Sequence, residues 1–135
     1  MINHRSLFFL LLIGLILIPL LFSACQSGSN KSNKLGSDYY YTYQFDQKPS
    51  LGTSILKVQV YGNDGKKSAP FKITGSVSMP SMGTDHDSGE QVFRMNKKGD
   101  YLLPVDLVMQ GSWEITLIFY KGESEYARSK ITIDI

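Results

Sequence analysis

The sequence is short of the residues on which most chemistry depends. It has one cysteine, Cys25, and two histidines, His4 and His86, in 135 residues. A chain with a single cysteine has no internal partner for a disulfide. Charge of one sign is lacking as well, with 14 Lys and Arg against 12 Asp and Glu. Arg5 is the only charged residue before Cys25, so the rest of the chain is almost neutral. That balance gives no electrostatic case for nucleic acid or for an acidic membrane surface. No glycine-rich phosphate loop of either common spacing occurs. Serines and aspartates abound, so composition alone leaves a Ser–His–Asp set open, but no nucleophile-elbow pattern supports one. The expectation is a protein that is not an enzyme.

What the N-terminal stretch does contain is a long apolar run. Residues 7–22 are apolar after Arg5, and Ser23 and Ala24 precede Cys25. A charged start, an apolar centre and small residues before a cut site describe a secretory signal peptide. A membrane-spanning helix is the competing reading, but it needs roughly 18 or more apolar residues. This run is shorter and is interrupted by Gly14 and Pro19. Leu21-Phe22-Ser23-Ala24-Cys25 resembles the lipobox of bacterial lipoproteins, with Phe22 in place of the usual aliphatic residue. The resemblance implies a signal peptide over residues 1–24, lipid attachment at Cys25, and a membrane-anchored protein on the extracytoplasmic face, at the cell surface or in the periplasm. A lone thiol at the cut site otherwise has no evident use.

Residues 25–38 read as the lipidated cysteine and a flexible linker. The stretch is mostly Ser, Asn, Lys and Gly with a single leucine, too little apolar surface to offset the entropy of ordering it. From Tyr39 onward the hydrophobic period is two. Tyr39, Tyr41, Tyr43 and Phe45 share one strand face, and Leu56, Val58 and Val60 share another. Gly62-Asn63-Asp64-Gly65 is turn chemistry. Phe71, Ile73, Gly75 and Val77 form the inward set of the next strand, where Gly75 marks a bulge or a close backbone approach. A short strand over residues 91–95 follows. Tyr101, Leu103, Val105, Leu107 and Met109 then line one face, and Pro104 places that strand at a sheet edge or a bulge. Trp113, Ile115, Leu117 and Phe119, and finally Ile131, Ile133 and Ile135, complete the alternation. No window after residue 38 shows a helical period. About seven short strands at even spacing predict an all-β, antiparallel β-sandwich over residues 39–135, with Trp113 in its core.

One loop carries the unusual side chains. Met79-Pro80-Ser81-Met82-Gly83-Thr84-Asp85-His86 puts two thioethers and an imidazole close together, a donor set suited to a soft ion such as Cu(I). Each residue also has a plainer reading. Met79 continues the buried parity of Val77, so core packing explains it. Met82, between a proline and a glycine, is open to either role. His86, flanked by Asp85 and Asp87, fits an isolated surface histidine as well as a ligand. Met95 and Met109 fall in the parity of the buried sets and are expected mainly in the core.

The Met79-Pro80-Ser81-Met82-Gly83 step, with Gly99-x-Tyr101 and Met109-x-Gly111-x-Trp113, resembles the YtkA-like and FixH-like family of small extracytoplasmic domains. The likeness covers about residues 58–133. It implies an immunoglobulin-like sandwich in a copper-linked context, beside membrane proteins of metal efflux or oxidase assembly. It also implies a metal-binding or metallochaperone-like accessory role, with Met79, Met82 and His86 as the ligands of Cu(I). Many relatives carry a histidine directly after Met-Gly. Here Thr84 and Asp85 intervene before His86, which loosens the transfer of a metal role to that residue. The alternative is a metal-free interaction module that serves such a membrane complex.

Overall fold

Alternating side chains leave each strand with one apolar face, and two sheets close over those faces. A computed structural model describes residues 31–135. The leader and Cys25 lie outside them. The first sheet is built from β1 (Asn33–Leu35), β2 (Tyr39–Phe45), β3 (Gly52–Gly62), β6 (Arg94–Met95) and β7 (Tyr101–Leu107). The second holds β4 (Lys72–Ser78), β5 (Gln91–Val92), β8 (Ser112–Lys121) and β9 (Ser124–Asp134). Their orders are β1-β2-β3-β7-β6 and β5-β4-β8-β9, and every pairing is antiparallel. Without the short β1 and β5, the arrangement β2-β3-β7-β6 against β4-β8-β9 is the strand order of an immunoglobulin domain. Leu56, Val58, Val60, Ile73, Leu103, Ile115, Leu117 and Phe119 meet between the sheets. Trp113 is buried with them, as expected.

Among the described residues nine strands replace the expected seven, for two reasons. The region from residue 91 to 95 is not one strand. Val92 pairs with Thr74 in one sheet and Arg94 with Leu102 in the other, while buried Phe93 bridges them and donates its N–H to the Ile73 carbonyl at 2.9 Å. The linker also ends earlier than residue 38. Asn33–Leu35 pairs with Tyr41, Tyr40 and Tyr39, and Leu35 is buried in the core. Average composition concealed this, because an edge strand of three residues needs only one apolar side chain at the right parity to be captured.

Several local features have direct physical causes. Gly75 carries no bulge, since the β4–β8 register is continuous from Lys72 to Ser78. A Cβ there would stand 2.9 Å from both Leu103 and Phe93, so the glycine permits close approach. Pro104 lies where β7 is an edge, because β6 covers only Tyr101 and Leu102. A residue without an N–H is tolerated there. The Tyr101 hydroxyl crosses between sheets and donates to the Phe71 carbonyl at 2.8 Å.

Two methionines expected in the core are not there. Met95 pairs with Tyr101 and shares its face, yet is 52% exposed, because β6 is a two-residue edge strand with little of the other sheet over it. Met109 lies beyond the end of β7, in the loop to β8, and is exposed. Gly52 pairs with Leu107, and Ser78 with Glu114. The segments 46–51, 79–90 and 108–111 therefore emerge at one end of the sandwich.

Candidate functional site

That end holds the methionine loop. Met79 follows the last residue of β4 and is only 4% exposed. Pro80–Met82 then makes a single 3-10 turn, in which the Met82 N–H bonds the Met79 carbonyl at 2.9 Å. Pro80 sits at the start of the turn, where its fixed φ suits and its missing donor costs nothing. Gly83, at φ +64°, ends the turn in a conformation that favours glycine. The Met79 methyl lies against Gly111, where an added Cβ would overlap it. Gly111 is itself held by reciprocal backbone bonds to Ile135 at 3.0 and 3.1 Å.

Two residues further on, Trp113 organises the rest of the rim. Its indole N–H donates to the Met109 carbonyl at 3.0 Å and so fixes the loop from β7 to β8. His86 lies beside the same ring, with centroids 6.3 Å apart at an interplanar angle of 60°. The imidazole is brought there by Ser88. The Ser88 N–H donates to the Val77 carbonyl, and its Oγ accepts from the Val77 N–H, both at 2.9 Å. Asp87 Oδ1 accepts the Gly89 N–H at 2.9 Å and tightens the same loop. A groove of about 190 Å³ remains between this loop and the open edge of β7, bounded by Val77, His86, Asp87, Pro104, Asp106 and Trp113.

The sequence-derived ligands separate in space. Met79 belongs to the core, and its thioether packs against Gly111 and away from the loop surface. Met82 is 42% exposed on the 3-10 turn, and His86 is half-buried against Trp113. Met109, expected to be mainly core, joins them as a second exposed thioether at the rim. Among the described residues, no three His, Cys, Asp or Glu side chains are grouped so as to hold a metal ion. Cys25 lies outside the described residues.

A charged cluster at the opposite end escaped the sequence reading. Asp100 is buried and accepts hydrogen bonds from Lys67 Nζ, from Gln59 Nε2 at 2.7 Å and from Asn96 Nδ2 at 2.9 Å. Asn96 Oδ1 in turn accepts the N–H groups of Lys98 and Asp100, each at 2.9 Å. Burial alone raises the Asp100 pKa, but the bonds from Lys67, Gln59 and Asn96 and the charge on Lys67 outweigh it. The carboxyl is held well below the usual carboxylate range. Every oxygen has a partner, so the cluster is a structural clamp between two turns. The turn Lys97-Lys98-Gly99-Asp100 is legible in the sequence. Gln59 and Lys67 arrive from distant positions, and no local signal announces them.

Compared with known protein families, with curated proteins and with solved structures, the chain shows no match. The likeness carried by the Met-Pro-x-Met and Gly-x-Trp steps thus rests on those residues alone. Among the described residues no helix is long and apolar enough to cross a membrane.

Proposed function

We propose that the chain is an extracytoplasmic lipoprotein, anchored through Cys25, whose sandwich offers a thioether and imidazole rim to Cu(I) as cargo. The family likeness gives the copper-linked context. The observation that carries the reading is the division of labour among the methionines. Met79 is committed to packing, whereas Met82 and Met109 stay exposed on loops at the end where His86 rests beside Trp113. Soft sulfur with neutral imidazole suits Cu(I) better than a hard ion. Met82, Met109 and His86 would hold the ion, and the exposed position of the rim suits transfer to a partner more than storage.

A metal-free interaction module in a membrane efflux or oxidase-assembly complex is the second reading. It is favoured by Leu51 and Val108, apolar side chains that are 56% and 65% exposed at the same end. Titration of the protein with Cu(I) against a chromogenic chelator separates the two. The copper reading expects stoichiometric competition by the parent. Its absence, relative to an unrelated domain with as many methionines, leaves the interaction module.

A further inference from the structure

The groove beside Trp113 has a composition of its own. Its lining holds two carboxylates, Asp87 and Asp106, and neither Lys nor Arg. The hydrogen bonds on both carboxylates fall on Oδ1, from the Gly89 N–H and from the Thr53 hydroxyl. Among the described residues no hydrogen bond falls on the second oxygen of either. His86, Ser88 and Gln91 complete the polar lining, and Pro104, Val77 and Trp113 supply its apolar part. Val108 forms the lip, and one further step of the β3–β7 register places Leu51 across from it.

A groove that sets apolar surface beside carboxylates suits a long aliphatic stem ending in a cation. The stem buries against the apolar surface, and the head makes charge-assisted bonds to the acids. Pro104 removes a backbone donor from the open stretch of β7, which disfavours addition of a whole strand at that edge. Side-chain recognition is what remains. The geometry points to this groove as a docking site for a Lys or Arg side chain on a partner protein, with the neighbouring apolar residues of that partner resting on Leu51 and Val108. The site shares His86 with the copper reading but neither Met82 nor Met109, so it goes beyond that reading and is tested with copper withheld.

Trp113 is the only tryptophan in the chain and lines the groove, so its emission reports occupancy directly. The full-length chain in mild detergent, with copper withheld, is titrated with a capped Ser-Val-Lys-Val-Ser peptide. The parallel arms use the peptide with Glu for Lys, and n-butylammonium. A saturable emission change with the Lys peptide alone is expected. The paired substitution Asp87→Asn and Asp106→Asn keeps both Oδ1 acceptors and removes only the charges. It should weaken association about tenfold or more, with an unchanged thermal midpoint. No saturable change at millimolar peptide, equal binding of the Glu peptide, or unaltered binding by the Asn pair would overturn the site. Butylammonium bound as tightly as the peptide would assign the groove to small free amines and so overturn the partner.

Discussion

The Met79 methyl occupies the space that a side chain at position 111 would need. Gly111 also holds φ +136°, a conformation that side-chain-bearing residues rarely adopt. The two sequence steps Met-Pro-x-Met and Gly-x-Trp are therefore halves of one packing contact. Met79 comes from the end of β4, Gly111 from the entry to β8, and Trp113 stands two residues further in.

Gly111→Ala tests that contact. Overpacking costs about 1–3 kcal/mol, and a side chain at this φ adds strain of about 1–3 kcal/mol. Shortening the opposing side chain, as Met79→Ala in the same protein, should relieve the steric part and leave the backbone part. Thermal unfolding of the single and double variants measures both. Additive losses in the double variant would show that the two residues do not touch.

Removing the indole should be harsher. Trp113→Ala deletes a buried side chain and the bond to the Met109 carbonyl, at a cost of about 3–5 kcal/mol. A domain of this size has only about 5–15 kcal/mol in total. The variant should be barely folded near physiological temperature. A midpoint within a few degrees of the parent would place Trp113 outside the core.

Asp100 predicts an acid limb. Its pKa is depressed in the folded state, so it adds stability above the unfolded carboxylate pKa of about 3.9. That stability is lost as pH falls below this value toward the folded pKa. Chemical denaturation from pH 7 to pH 2 should show the loss begin near pH 5 and steepen below pH 4. Asp100→Asn should lower stability at pH 7 and flatten the acid limb. A parallel acid limb in the variant would assign acid sensitivity to other carboxylates.

The anchor is tested by Cys25→Ser. If the cysteine is acylated, the variant should be uncleaved or released, and detergent-phase partitioning should change. Single acyl chains bind membranes only marginally, so lipoproteins depend on several. Partitioning identical to the parent would favour a spanning helix over lipid attachment.

How much of this was legible follows from which forces act locally. Period-two alternation gave most strands from Tyr39 onward and the buried Trp113, and the missing N–H of Pro104 pointed to an edge or a bulge, because each depends on near neighbours. Leu35 was missed because a composition window averages over a strand of three residues. Met95 was placed in the core on a parity that the structure retains, but parity cannot tell an edge strand from a covered one. The Asp100 clamp joins residues as far apart as Gln59 and Asp100, so no spacing rule reveals it. In the methionine loop, parity with Val77 already gave Met79 its place in the core, whereas nothing local showed that Met109 would be exposed at the same end.

That division between inward and outward thioethers is the central claim, and one comparison tests it. Cu(I) affinity is measured by chelator competition for Met79→Leu, Met82→Leu and Met109→Leu, each alongside its thermal midpoint. Leucine keeps the apolar bulk and removes the sulfur, and such swaps cost less than about 1.5 kcal/mol in a core. The account predicts weaker copper binding by Met82→Leu and Met109→Leu with little change in stability. For Met79→Leu it predicts a lower midpoint with parental affinity. Loss of copper binding in Met79→Leu, with Met82→Leu and Met109→Leu unaffected, would contradict it.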